Sequence, residues 1–200
     1  MKTITLKDGT SVSLKLLTIG DVGKLCKMLW SLTDKTRMFY HGFVVLNSKT
    51  FLKSYLRFLL MLLSNPMDYK CRGKYFLGIV TLNNQKEVVG FVYLRIKSYG
   101  FFVSAIYGIV IRDDFQGKGL GGILTSHILE CGKKFRLNKV TLTVRATNEK
   151  TIELFKKYGF EIEGLHKRDD VWKNEVFDIY YMALHLNELK KQDFRYGCSG

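Results

Sequence analysis

The sequence predicts a single α/β domain with a mixed, mostly antiparallel sheet flanked by helices, and three features point there. Between residues 74 and 111, three apolar runs are separated by turns of only a few residues, which suits an antiparallel meander. A glycine-rich stretch then leads from the third run into an amphipathic helical pattern, followed by a strand, a helix and two more strands. The 200-residue chain is 46% hydrophobic, and Pro66 is its one proline, so it has enough apolar side chain for one core and is neither disordered nor proline-rich.

The elements follow in chain order. Ile4–Leu6 and Val12–Leu16 alternate with period two around a Lys7-Asp8-Gly9-Thr10 turn, which predicts a hairpin over Thr3–Leu17. Val22, Leu25, Cys26, Leu29 and Trp30 recur at helical spacing after Gly20-Asp21, and Ser31–Arg37 begins a shorter helical piece. Lys49–Ser64 reads as a long helix stopped at Asn65-Pro66, since proline cannot extend the ladder. Lys74–Leu82, Val88–Lys97 and Phe101–Ile111 are the meander strands, turning at Asn83–Lys86 and Ser98–Gly100. A helix runs to about Phe135, and Val140–Arg145 is a buried-type strand. Asn148–Tyr158 is a helix ended by Gly159, where a left-handed cap is expected. Phe160–Trp172 and Glu175–Leu184 join at Lys173-Asn174, and the chain after His185 is a polar, frayed tail.

Lys plus Arg total 32 against 18 Asp plus Glu, a net charge of +14 that favours anionic partners such as phosphates, nucleic acid or acidic proteins. The basic residues are spread along the chain, and no zinc-finger spacing or RNA-binding aromatic motif accompanies them. His41, His127, His166 and His185 pair with no cysteine at metal spacing, so no metal is expected. Cys26, Cys71, Cys131 and Cys198 lack any C-x-x-C spacing and read as reduced thiols. The most apolar run, Tyr55–Leu63, is interrupted by Arg57 and falls short of the ~20 residues that cross a bilayer. The first residues carry no signal-peptide pattern, and the expected location is cytoplasmic.

Chemistry concentrates at Ile109-Val110-Ile111 and the loop Gln116-Gly117-Lys118-Gly119-Leu120-Gly121-Gly122. A glycine-rich helix start aims unpaired amides in one direction, adds the positive end of the helix dipole, and lets an anion approach the backbone closely. Lys118 adds a full positive charge, and the arrangement suits a diphosphate. The P-loop pattern Gly-x-x-x-x-Gly-Lys-Ser/Thr is absent. A dinucleotide-binding fingerprint is only partly matched, and it would belong near the first strand rather than after several elements.

The spacing Gln116-x-x-Gly119-x-Gly121 resembles the Arg/Gln-x-x-Gly-x-Gly/Ala loop of the GNAT family of N-acetyltransferases. Asn148 through Phe160 is similar to that family's Asn-x-x-Ala-x-x-Leu-Tyr-x-Lys-x-Gly-Phe pattern, and the order of elements agrees. The resemblance is strongest over Tyr107–Leu184 and implies a single N-acetyltransferase domain over residues 1–188. It implies two splayed central parallel strands that admit acetyl-CoA as co-substrate, with an amine, small or on a protein, as acceptor, and a monomer or homodimer. By the same resemblance, Ile109, Val110 and Ile111 offer backbone hydrogen bonds to the pantetheine and thioester. Gln116, Gly117, Lys118, Gly119, Leu120 and Gly121 hold the diphosphate, Asn148 bonds the pantetheine arm or caps its helix, and Phe155 lies beside the thioester. Leu29–Tyr40 is similar to a segment of some acetyltransferases that modify protein lysines, and reads equally well as a capped helix.

Two positions depart from the pattern. The family's acid tyrosine falls at Phe155, which has no proton to give, and Tyr158 is the tempting substitute although a core role suits it better. Val103–Ile111 carries no acidic residue, so no general base is evident there, and Asp169, Asp170 and Glu175 are carboxylates available in the last hairpin. The catalytic residues are therefore unassigned. Two other readings stay open: a non-catalytic CoA-binding sensor, motivated by Phe155, and a basic nucleic-acid-binding protein, motivated by the charge.

Overall fold

Residues 2–39, 56, 74–99 and 102–186 are described by the structure, a computed structural model of the chain. The N-terminal hairpin pairs β1 (Lys2–Thr5) with β2 (Ser11–Leu16), and Gly9 takes the left-handed conformation in its turn at φ +82°. A 3-10 turn leads into α1 (Val22–Ser31), whose Val22, Leu25, Cys26 and Leu29 are buried as the spacing predicts, while Trp30 at the margin remains 38% exposed. Leu32 turns extended, so the next helix, α2 (Asp34–Phe39), begins later than the sequence suggests. The expected helix over 49–64, apart from Leu56, lies outside the described residues, as do Pro66, Cys71 and the tail from 187.

The meander follows as β3 (Lys74–Leu82), β4 (Val88–Tyr99) and β5 (Phe102–Ile111), each antiparallel to the next. Beyond the glycine loop come α3 (Leu120–Lys133), β6 (Lys139–Arg145) and α4 (Glu149–Lys157). Gly159, at φ +84°, ends α4: its amide bonds Lys156 O at 3.0 Å and the Phe160 amide reaches back to Phe155 O at 3.1 Å, a Schellman cap. The last hairpin is β7 (Glu161–Trp172) and β8 (Glu175–His185), with Lys173 and Asn174 both at positive φ as a tight two-residue turn requires.

The strands form one eight-stranded sheet, β1-β2-β3-β4-β5-β6-β8-β7, in which β5–β6 is the parallel pair. Strand alternation divides the core between the two faces of the sheet. On one face Leu25 and Leu29 of α1 pack on Val80, Phe91, Tyr93 and Val110; on the other, Leu120, Leu124 and Ile128 of α3 pack with Val92, Leu94 and Tyr107. Truncating a fully buried leucine such as Leu25 to alanine costs about 2–5 kcal/mol.

Candidate active site between the parted strands

The parallel pairing of β5 and β6 covers only Ser104↔Lys139, Ala105↔Val140 and Ile106↔Thr141, yet β5 continues to Ile111 and β6 to Arg145. Beyond Ile106 the two strands part. Val103 O accepts from the Asn138 amide on the β6 side, Ile111 O accepts from Gln116, and the Arg112 amide donates to Val89 O beside β4. Alternation between these fixed points turns the backbone groups of Tyr107, Ile109 and Ile111 toward the opening and those of Val110 toward β4. Of the three positions expected to offer backbone contacts, Ile109 and Ile111 face the gap, while Val110 is 4% exposed and packs under α1.

The glycine loop lies at the end of β5. Gly117 (φ +75°) and Gly119 (φ +85°) are both left-handed, and Gly119 caps α3. Across this start the Ile123 amide donates to Gly119 O at 3.3 Å, and the amides of Leu120, Gly121 and Gly122 sit in the helix's unsatisfied first turn. A Cβ at Gly117 would meet nothing within 4 Å, so the loop backbone is open to a ligand at that point. These features fit a diphosphate. The hairpin turn docks on the loop: the Lys7 amide donates to Lys118 O at 3.2 Å, and Lys118 Nζ pairs with Asp8 at 2.8 Å. That ammonium holds the exposed Asp8 carboxyl down to about 2. Gln116 turns its amide group inward, donating to Ile111 O (3.0 Å) and Thr36 Oγ1 (2.9 Å), and so braces the loop against α2. Asp113 makes a second brace, accepting from the Thr33 and Thr36 hydroxyls and the Thr33 amide. Burial raises the Asp113 carboxyl, and these donors outweigh it and hold it below the ordinary range.

The residues of the second motif are distributed differently. Asn148 stands half-buried before α4, capping through its backbone only; its side chain makes no cap hydrogen bond. Phe155 is 3% exposed, edge-on to Tyr107 at 5.3 Å and tilted against Phe160 at 5.5 Å. Tyr158 is half-buried and donates to Gly122 O at 2.7 Å, tying α4 to the first turn of α3. Tyr107 and Thr125 hydroxyls lie 2.8 Å apart; because Thr125 gives its proton to Gly121 O, Tyr107 is the donor. A pocket of about 280 Å³ lies between the N-terminal hairpin and α3, walled by Lys2, Ile123, His127 and Tyr158, with no lining residue from β5 or β6.

Across the gap, Arg145 ends β6 only 2% exposed, its guanidinium bonded to Asp170 and 4.1 Å over the Phe177 ring. Of the hairpin carboxylates, Asp170 is thus anchored to a buried cation, whereas Asp169 and Glu175 are exposed. Lys173 at the hairpin tip pairs with Asp34 at 2.5 Å, linking the last hairpin to α2. Among the described residues no cluster of His, Cys, Asp and Glu is suited to a metal, and no helix is long and apolar enough to cross a membrane.

Residues 38–160 match the model of the acetyltransferase (GNAT) family. The chain belongs to that family. Among similar proteins is the L-amino acid N-acetyltransferase AaaT of Escherichia coli, 36% identical over 80 residues, 40% of this chain and 49% of that protein. The peptidyl-lysine N-acetyltransferase YjaB of Escherichia coli is 30% identical over 94 residues, 47% of this chain and 56% of that protein. The chain spans about half the length of the curated relatives it matches. Two solved structures share the fold. A GNAT-family acetyltransferase from Streptococcus pneumoniae has TM-score 0.67 and 20% identity, covering 88% of this chain and 99% of that one. The spermidine N-acetyltransferase of Vibrio cholerae, in complex with CoA and spermine, has TM-score 0.67 and 19% identity, covering 87% and 95%. The GNAT fold is legible here in the mixed sheet, its parted parallel pair and the glycine loop beside the opening.

Proposed function

We propose that this GNAT-family chain is an N-acetyltransferase that moves an acetyl group from acetyl-CoA to a primary amine. The observation that carries the reading is the parting of β5 and β6 beyond Ile106, directly beside a helix start opened by left-handed glycines. Acetyl-CoA supplies an activated acyl group as a thioester. Gln116, Gly117, Lys118, Gly119, Leu120 and Gly121 form the diphosphate cradle: the amides after Gly119 bind, Lys118 neutralises charge, and Gln116 keeps the loop in shape. The edge groups of Ile109 and Ile111 receive the pantetheine arm and thioester, with Val110 holding the strand in place from beneath α1. A fixed backbone amide at Ile109 is suited to stabilising an oxyanion, because its direction costs no reorganisation. Asn148, with no cap bond to its side chain, bonds the arm from the β6 side. Phe155 supports the opening from the core rather than giving a proton.

The acceptor has to be neutral to attack, and a free lysine-type amine has a pKa near 10.4. With no carboxylate on β5, the proton leaves through water. The acceptor class is a primary amine on a small molecule or a protein, consistent with relatives named for L-amino acids and for peptidyl-lysine. We assign the activity to one domain spanning residues 1–188, and to the cytoplasm, where the free thiols Cys26 and Cys131 fit a reducing compartment.

The test is transfer of label from radiolabelled acetyl-CoA to a panel of amino acids, polyamines, aminosugars and lysine peptides. An N-acetyl product supports the reading. Tight CoA binding with no transfer to any of them would leave the sensor reading in its place, and no CoA binding at all would refute both.

A further inference from the structure

Arg145 closes β6 and is 2% exposed, yet its Nη1 is buried with no hydrogen-bond partner. A guanidinium presents all its N–H donors in one plane. Nε and Nη2, which share one edge of that plane, are both taken by Asp170 Oδ2, and the Phe177 ring lies 4.1 Å from Cζ against its face. Nη1 therefore belongs to the edge turned away from Asp170. Asp170 is on β7, and β8 lies between β7 and β6, so the Asp170 side of the guanidinium is the side away from β5. The other edge is on the β5 side, where the strands have parted.

The register fixes the level and the face. β5 and β6 pair from Ser104↔Lys139 to Ile106↔Thr141, and the same offset sets Arg145 level with Val110 across the opening. Val110 packs under α1, so the Arg145 side chain is on that face, opposite to Leu142, Val144 and Met182 in the core shared with α3. α2 follows α1 through Leu32 and Thr33 and is fastened on both sides of the opening: Thr36 to Asp113 and Gln116 at the end of β5, Asp34 to Lys173 at the β7–β8 tip. It carries a second guanidinium nitrogen of the same kind, Arg37 Nε, buried without a partner while Nη2 donates to Trp30 O. Carboxylates at this end of the sheet are held by other donors: Asp34 by Lys173, Asp113 by Thr33 and Thr36, Asp178 by the Arg168 amide.

We propose that the acceptor is a free α-amino acid and that Arg145 Nη1 binds its carboxylate. This rests on the acetyl-transfer reading above and narrows its acceptor. A buried donor without a partner is costly, so a group that accepts from Nη1 is held more firmly there than at an exposed donor. A carboxylate answers a guanidinium best, through charge as well as hydrogen bonds, and Arg37 adds a second positive charge from α2. Asp170 fixes the guanidinium by its far edge and leaves the Nη1 protons to the ligand. Val110, level with Arg145, adjoins Ile109, whose backbone edge is assigned the thioester. Paired strands are ~4.8 Å apart, so the step across the opening is short. A molecule whose amine and carboxylate share one carbon spans it, with the amine at the thioester and the carboxylate at Arg145. A lysine side chain on a protein brings no carboxylate to that position.

The test supplies acetyl-CoA with the free L-amino acids, with each as its carboxamide, and with a lysine peptide. Wild type should acetylate its preferred amino acid with kcat/KM at least about a hundredfold above that of the amide, although the amide's amine is the more easily deprotonated. Arg145→Lys keeps a cation against Asp170 and removes Nη1. It should cut kcat/KM for the acid by at least about tenfold, chiefly through KM, and for the amide by much less, so that the preference collapses. A structural role would lower both alike, and that result overturns the proposal. So does a wild type that takes amides or the lysine peptide as readily as free acids. If Arg145→Lys does not fold, Asp170→Asn decides. It keeps an oxygen for Nε and removes the charge that offsets the guanidinium, so KM for the acid should fall at least about threefold while that for the amide stays close to wild type. Equal movement of both again overturns the proposal. A wild type that acetylates no amine at all would instead sink the acetyl-transfer reading, and this proposal with it.

Discussion

Gly119 gives the sharpest test of the cofactor loop. At φ +85° it occupies a conformation that costs a residue with a Cβ about 1–2 kcal/mol. The added Cβ would lie 3.3 Å from the Lys7 side chain, a flexible stem that can swing aside, so Gly119→Ala and Gly119→Glu should both fold with only that loss. The charge separates them. A glutamate carboxylate ~6 Å from one phosphate charge is repelled by about 0.7 kcal/mol at the dielectric of water and about 3 kcal/mol at an effective dielectric of 20. Lys118 offers incomplete relief, because it already faces Asp8 at 2.8 Å. Gly119→Glu should therefore weaken CoA binding well beyond tenfold, or at least ~1.4 kcal/mol, and Gly119→Ala by much less. Calorimetry at low and high salt is the assay. The difference between the two variants should shrink as salt rises, because the Debye length falls from ~30 Å at 0.01 M to ~10 Å at 0.1 M. A folded Gly119→Glu with wild-type CoA affinity would show that no phosphate approaches this loop.

Three further outcomes follow from the same geometry. Thr125→Val leaves the fully buried Tyr107 hydroxyl without its acceptor and should cost about 1–3 kcal/mol in urea unfolding, while Tyr107→Phe in addition should recover most of that loss. Tyr158→Phe removes one bond to Gly122 O, so kcat should change by less than about tenfold and stability by about 1 kcal/mol; a collapse of activity with CoA affinity intact would make Tyr158 the acid. Burial raises the Asp21 carboxyl, but its bonds to Lys15 and to the Thr18 hydroxyl and amide outweigh this and hold it below the ordinary range. Its folded value being the lower one, its contribution is complete above the unfolded value near 3.9 and is lost as pH falls through the folded one, so Asp21→Asn should flatten the acid limb of a stability–pH curve.

Sequence patterns resolved those parts of the site that depend on local chemistry. Lys74–Leu82 reads as a strand because its alternation is local, and the structure ends β3 at the same residues. Gly119 and Gly159 read as loop and cap because each needs a left-handed backbone, which glycine alone adopts without strain. The parting of β5 and β6 has no such local mark. Val103–Ile111 has Ser104 and Tyr107 as its only polar side chains, and whether its far edge pairs depends on β6, which arrives only after the intervening α3. Side chains that meet across strands are hidden for the same reason. Tyr93 reads as one more buried residue in an alternating strand, and Gly108 as an unremarked glycine, until the register sets them opposite one another. Arg145 reads as the polar end of a strand, and Asp170 as a turn carboxylate, yet the two meet across β8 and bury a guanidinium at the end of β6. A signal for such pairs does exist in the sequence, in a glycine or a charge standing where a strand pattern wants a β-branched residue. What it cannot say is which distant residue answers it, because that depends on the order in which the strands assemble. In this fold that order lays the Tyr93 ring across Gly108 and packs Phe155 edge-on to Tyr107, two contacts that no local pattern announces.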